Sequence, residues 1–116
     1  MLHDMHVNDD VFNLIKKGTK TVELRLYDVK RRSLMVGETI ILENRKTGEK
    51  INVLIKALKR FPSFNELYDS YPDKIILGYG EGVEAKPEDM EKYYSKEDII
   101  KYGVLAIEME TLWLLL

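Results

Sequence analysis

Apolar and polar side chains alternate along residues 20–26, where Val22, Leu24 and Leu26 interleave with Thr21, Glu23 and Arg25. A two-residue period marks a strand with one dry face and one wet face. The same reading predicts strands over 2–7, 39–43, 51–58 and 104–110, the last with Leu105, Ile107 and Met109 on one side. Between the first two strands, Val11, Phe12, Leu14 and Ile15 form one apolar helical face. Asn8, Asp9 or Asp10 can cap that helix, which runs to about Lys17 and stops at Gly18.

Residues 28–34 form a polar connection, and Val36-Gly37-Glu38 is a turn into the next strand. Lys46-Thr47-Gly48-Glu49 makes a hairpin tip. Ser63 with Glu66, and Ser95 with Asp98, carry the spacing of helix N-terminal boxes, so short helices are expected over 64–69 and from 95 to Gly103. Pro72, Gly78, Gly80 and Gly82 mark a loop-rich passage, and Pro87 suits the first turn of a short helix reaching Tyr93 or Tyr94. Short strands with short helices between them predict an α+β fold, a small mixed β-barrel with helices around its rim.

At 116 residues the chain is read as one domain, 1–116, with 45% apolar and 33% charged residues. Without cysteine there is no disulfide scaffold, thiolate metal site or cysteine nucleophile. No long apolar stretch suggests a leader or a membrane span, so a cytoplasmic location is expected. The carboxyl end, Leu112-Trp113-Leu114-Leu115-Leu116, either continues the last strand into the core or forms a strip for self-association. It is the basis for an expected homodimer and for an alternative reading as a protein-interaction domain.

The formal net charge of −2, from 18 basic and 20 acidic side chains, excludes a surface that coats duplex nucleic acid. Any nucleic-acid binding must be local. Lys20, Glu23 and Arg25 directly follow the tight turn at Gly18. An arginine can grip a phosphate or carbonyl with two donors, and a carboxylate can accept from a base amine. Glu23 and Arg25 share a strand face, whereas Lys20 has the other parity and joins them only if the strand bends at its start. An ion pair on a wet sheet face gives the same pattern.

Lys30-Arg31-Arg32 is the best basic run, and Tyr68, Tyr71, Tyr79, Tyr93 and Tyr94 cluster in the second half, where exposed rings can stack on unpaired bases. His3 and His6 point to opposite faces of their strand, a poor metal pair. Gly78-Tyr79-Gly80-Glu81-Gly82 matches no phosphate-loop spacing. No metal or cofactor is expected, and no nucleophilic triad is legible.

The segment from Phe12 through Ile15, the run Gly18-Thr19-Lys20-Thr21-Val22-Glu23-Leu24-Arg25, Arg31-Arg32, and Val36-Gly37-Glu38-Thr39-Ile40 together resemble the ASCH domain family. So does the ending Tyr93-Tyr94-Ser95-Lys96-Glu97 with Lys101 to Glu108. The shared pattern is glycine-x-lysine-x-x-glutamate-x-arginine, and the likeness spans nearly the whole chain. It implies a PUA-like β-barrel with a cleft that takes RNA or a modified nucleoside, lined by Lys20, Glu23 and Arg25, with Arg31, Arg32, Tyr93 and Ser95 as further candidates. One branch of the family removes the acetyl group from 4-acetylcytidine, using a lysine, a threonine three positions on and a later glutamate. Lys20 fits that set. Glu23 occupies the threonine's place, the later acid is Glu81 or Glu84, and a hydrolase reading would make Lys20 and Glu23 its catalytic pair.

Overall fold

A computed structural model describes residues 2–112. Five strands, β1 (Leu2–Val7), β2 (Val22–Leu26), β3 (Thr39–Asn44), β4 (Lys50–Phe61) and β5 (Val104–Leu112), form one sheet in the order β1-β3-β4-β5-β2. β1 runs parallel to β3 and the other pairs are antiparallel. A register shift between Ile55 and Ala57 bends the long strand β4. The sheet curls into a half-barrel, with β1 and β2 at its two edges.

Both faces of this sheet are covered. On the inner face, α1 (Asp9–Lys16) inserts Phe12 and Ile15 against Met5, Val7, Ile40, Leu42, Val53, Ile55, Leu105, Ile107 and Met109. On the outer face, α2 (Phe64–Ser70) packs Phe64, Leu67 and Tyr68 on Val22, Leu24, Leu26, Val104 and Ala106. The two layers explain why β5 is buried on both sides from Val104 to Ile107. Each fully buried leucine, isoleucine or phenylalanine contributes roughly 1.5–3 kcal/mol to this packing.

The double covering changes the reading of β2. Its apolar side chains face α2, and Glu23 and Arg25, paired with Ile107 and Leu105, face the inner side of the half-barrel. The expected wet face is therefore enclosed. The strand also begins at Val22, two residues later than the alternation suggests, because residues 19–21 are held by other elements. Thr19 and Lys20 donate to the Leu14 carbonyl, and Thr21 donates to that of Ile76.

The two short helices start as expected. Ser63 Oγ accepts from Glu66 N–H at the head of α2, and Ser95 Oγ accepts from Asp98 N–H at the head of α3 (Lys96–Tyr102). The passage predicted as loop contains a 3₁₀ turn at Lys74–Leu77, and the segment after Pro87 is a 3₁₀ helix, Pro87–Lys92. Most of the apolar carboxyl-terminal strip lies outside the described residues. Leu112, at its start, closes β5 opposite Asn52 and is 37% exposed. Among the described residues no helix is long and apolar enough to cross a membrane.

Candidate nucleic-acid interface

Two edge strands that do not pair leave a seam, and the motif side chains fill it. Arg25 Nη2 donates to the His6 carbonyl of β1 at 2.9 Å, and its Nε and Nη2 both donate to Glu23 Oε2, at 2.9 and 2.7 Å. Planar two-donor contact of this kind suits a guanidinium and not an ammonium. Behind the pair, Lys20 Nζ donates to the carbonyls of Val22 and Leu77, each at 2.6 Å, and lies 3.5 Å from Glu23 Oε1. Lys20, only 4% exposed, reaches Glu23 because it precedes the strand and is free of its parity.

Gly78 makes room for the lysine. Its φ of +110° is a conformation that side chains disfavour, and a Cβ there would stand 3.1 Å from Lys20 Cδ. The glycine cluster read as a loop thus includes a packing position for the motif lysine.

Burial pushes the Glu23 carboxyl up, but the opposed charges of Lys20 and Arg25 outweigh it and hold the group below the usual carboxylate range. Burial pulls the Lys20 ammonium down and outweighs Glu23, which holds it up, so the group sits below the usual lysine value. Three acceptors around one Nζ match the three hydrogens of an ammonium ion. The triad is therefore a buried clamp whose members hold one another by charge and hydrogen bonds.

Glu23 and Arg25 form the floor of a cleft of about 280 Å³, lined further by Val7, Asn8 and Val11 on one side and by Met90, Tyr93 and Tyr94 on the other, whereas Lys20, expected to line it, is buried behind Glu23 and does not. Arg31 and Arg45 complete its rim. Arg31 Nη1 pairs with Asp28 at 3.0 Å, whereas its Nε is buried and has no hydrogen-bond partner among the described residues. Arg45 Nη1 donates to Asn8 Oδ1 at 3.1 Å. Asn8 sits at the N-cap of α1 but makes no side-chain cap there.

Tyr93 is 55% exposed, and Tyr94 stacks on Phe64 with ring centroids 6.1 Å apart. The 3₁₀ helix that delivers them is tied down by Tyr79, whose hydroxyl lies 2.7 Å from Tyr68 Oη and donates to Asp89 Oδ2 at 2.8 Å.

Of the residues singled out from the sequence, Lys20, Glu23 and Arg25 meet in one clamp, and Arg31 and Tyr93 border the same cleft. Arg32 does not reach it and instead lies over the Tyr27 ring, 5.6 Å from its centroid. Ser95 also stands apart, engaged as the α3 cap. Arg45, Asn8 and Met90 were not foreseen. The parallel pairing of β1 with β3, which brings the residue after β3 back to the start of α1, leaves no mark in local sequence. His3 pairs with Glu38 and His6 with Glu43, on separate parts of the sheet.

The ASCH domain model matches residues 5–112. The chain belongs to the ASCH domain family. Among solved structures it is similar to the hypothetical protein PH0355, with 33% identity over 97% of this chain and 100% of that one and a TM-score of 0.82. A protein of Pyrococcus furiosus, PF0455, is 34% identical over 97% of this chain and 98% of its own, with a TM-score of 0.73. The ASCH protein of Zymomonas mobilis shares the fold at 15% identity and a TM-score of 0.66, over 94% of this chain and 66% of that one. No curated protein matches the chain.

Proposed function

We propose that this ASCH domain binds RNA by taking one unpaired base, standard or modified, into the cleft at the β1–β2 seam. The observation that carries the reading is the charge of the lining: three arginines against one carboxylate, on a chain whose net charge is −2. A local positive recess suits recognition of a single-stranded or flipped-out nucleotide better than of a duplex. Its volume of about 280 Å³ lies at the small end for ligand pockets, a size for one nucleotide and not for an extended ligand.

Chemical roles follow from geometry. The exposed Tyr93 ring offers a stacking surface. Arg31 brings a guanidinium to the rim, where it can donate to a ligand oxygen. Glu23 Oε1 keeps acceptor capacity for an exocyclic amine. Hydrolysis of 4-acetylcytidine fits less well, because position 23 has no hydroxyl and its carboxylate is engaged by two cations.

The test is a titration of ¹⁵N-labelled protein with the four nucleoside 5′-monophosphates, 4-acetylcytidine and short RNAs, followed by chromatography of the 4-acetylcytidine sample. Shifts are expected at the amides of residues 23–25 and 93–94, with 4-acetylcytidine recovered intact. Tyr93→Ala should weaken binding about tenfold, the worth of one base–ring stack. A panel that moves none of these amides overturns the reading.

A further inference from the structure

A second recess, basic and aromatic, lies at the end of the sheet where β2 and β4 finish and β5 begins. In the ladder, Arg25 of β2 pairs with Leu105 of β5, and Leu105 pairs with Arg60 of β4. Directly paired residues project to one face, so Arg25 and Arg60 stand on the inner face two strands apart, about 10 Å at ordinary strand spacing. Tyr27, next after β2 and in the parity of Glu23 and Arg25, packs partly against the inner core. Arg60 Cζ lies 4.1 Å from the Tyr27 ring centroid, and Arg32 Cζ lies 5.6 Å from it. The recess beside them, about 350 Å³, is lined by Tyr27, Arg60, Phe61, Pro62 and Tyr102.

Two features set this place apart from an ordinary solvated surface. Two guanidiniums share one ring, and among the described residues neither makes an ion pair. Like charges gathered on one aromatic ring repel unless an anion comes between them, so the arrangement is complementary to a phosphate. The 3₁₀ turn Arg31–Ser33 also joins the two places. Arg31 lines the cleft and Arg32, the next residue, lies over Tyr27.

The geometry points to Tyr27, Arg32 and Arg60 as a second subsite, which holds the phosphodiester and neighbouring nucleotide of a single-stranded RNA whose first base occupies the cleft. This rests on the cleft reading above for its direction, but not for its chemistry. It makes the ligand a strand of at least two nucleotides in place of a free nucleoside. Tyr27 supplies a ring to stack on, and the two arginines grip backbone phosphate.

The experiment compares uridine 5′-monophosphate with a randomised-sequence RNA hexamer on wild-type protein, Arg60→Ala, Arg32→Ala and Arg25→Lys, by fluorescence competition over a range of salt. Circular dichroism checks each variant for folding. The hexamer is expected to bind at least tenfold more tightly than the monophosphate. Arg60→Ala and Arg32→Ala should each weaken the hexamer several-fold and lower its salt slope by about 0.7, one phosphate contact on a single strand, while leaving the monophosphate unchanged.

If both alanine variants bind the hexamer as wild type does, the subsite is overturned and the cleft reading stands. If the hexamer depends on Arg32 and Arg60 while Arg25→Lys changes neither ligand, the cleft reading fails and the subsite stands. Equal loss of monophosphate and hexamer in Arg60→Ala also overturns the subsite, because the effect then reaches the cleft. Wild-type protein that binds neither ligand overturns both.

Discussion

Arg25 and His6 belong to opposite edges of the half-barrel, and one hydrogen bond of 2.9 Å from guanidinium to carbonyl spans the gap between their strands. The ladder does not close there, so this side chain replaces main-chain pairing while its other donors hold Glu23. The motif therefore serves the fold and the cleft together. Its charges are fixed in place before any ligand arrives, which spares the ordering cost of loose side chains on binding.

Loss of the guanidinium should then be felt in stability. Arg25→Ala leaves the buried Glu23 with Lys20 alone and cuts the seam contact, a change that costs about 3–5 kcal/mol when a buried pair is broken. Arg25→Lys keeps the charge without the two-donor grip and should fall between that variant and wild type. Urea unfolding at neutral pH measures both. Equal midpoints for all three proteins would show that the clamp does not hold the edges together.

Much of this arrangement is legible in the sequence, though not its sidedness. The alternation at Val22, Leu24 and Leu26 marks a strand, and Ser63 and Ser95 mark helix starts, because those signals act within a few residues. Which face of β2 looks inward depends on α2, placed some forty residues later against Val22 and Leu24. A strand covered on both faces can bury its polar side if the charges satisfy one another, as Glu23 and Arg25 do. Arg31 and Arg32 look equivalent in the chain, yet one 3₁₀ turn sends Arg31 to the cleft and Arg32 over the Tyr27 ring. Arg45 enters the cleft only through the parallel β1–β3 pairing, a long-range choice that no local pattern encodes.

The Glu23 carboxyl sits below its ordinary value in the folded protein, burial being outweighed by Lys20 and Arg25. Its folded pKa is lower than its unfolded one. Its share of stability is thus complete above the unfolded value of about 4.3 and is lost as pH falls through the folded value. Glu108, hydrogen-bonded by Tyr71 and Lys59, shifts in the same direction, as does Asp89 through Tyr79. Wild-type stability should drop steeply below about pH 4.3. Glu23→Gln should be less stable at pH 7 and show a shallower fall in acid. Urea midpoints between pH 7 and pH 2.5 decide this, and an unchanged slope in the variant would contradict the charged clamp.

Gly78 offers a test of how Lys20 is seated. An alanine there must adopt a positive φ and brings a Cβ to about van der Waals overlap with the lysine stem, 3.1 Å from Cδ. The positive-φ strain alone is worth about 1–2 kcal/mol. Gly78→Ala should lose at least that much in thermal or urea unfolding and shift the amides of residues 20–25. Gly82, with φ +76° and open space around it, is the control: Gly82→Ala carries the strain without the clash and should leave those amides in place.

Tyr79 links the outer layer to the cleft through its contacts with Tyr68 and Asp89. Burial, together with hydrogen bonds to Tyr68 and Asp89, raises its hydroxyl far above the usual tyrosine value, so it stays neutral and donates throughout the physiological range. Tyr79→Phe removes that donor and leaves the partly buried Asp89 carboxylate with only the Lys86 main chain to bond it. The loss of this hydrogen bond should fall mainly on the 3₁₀ helix Pro87–Lys92. Hydrogen exchange at Tyr93 and Tyr94, whose amides donate to the Met90 carbonyl, should quicken while the β4–β5 ladder keeps its protection. Exchange that rises evenly across the sheet would mean that Tyr79 supports the whole fold and not the placement of the cleft's aromatic wall.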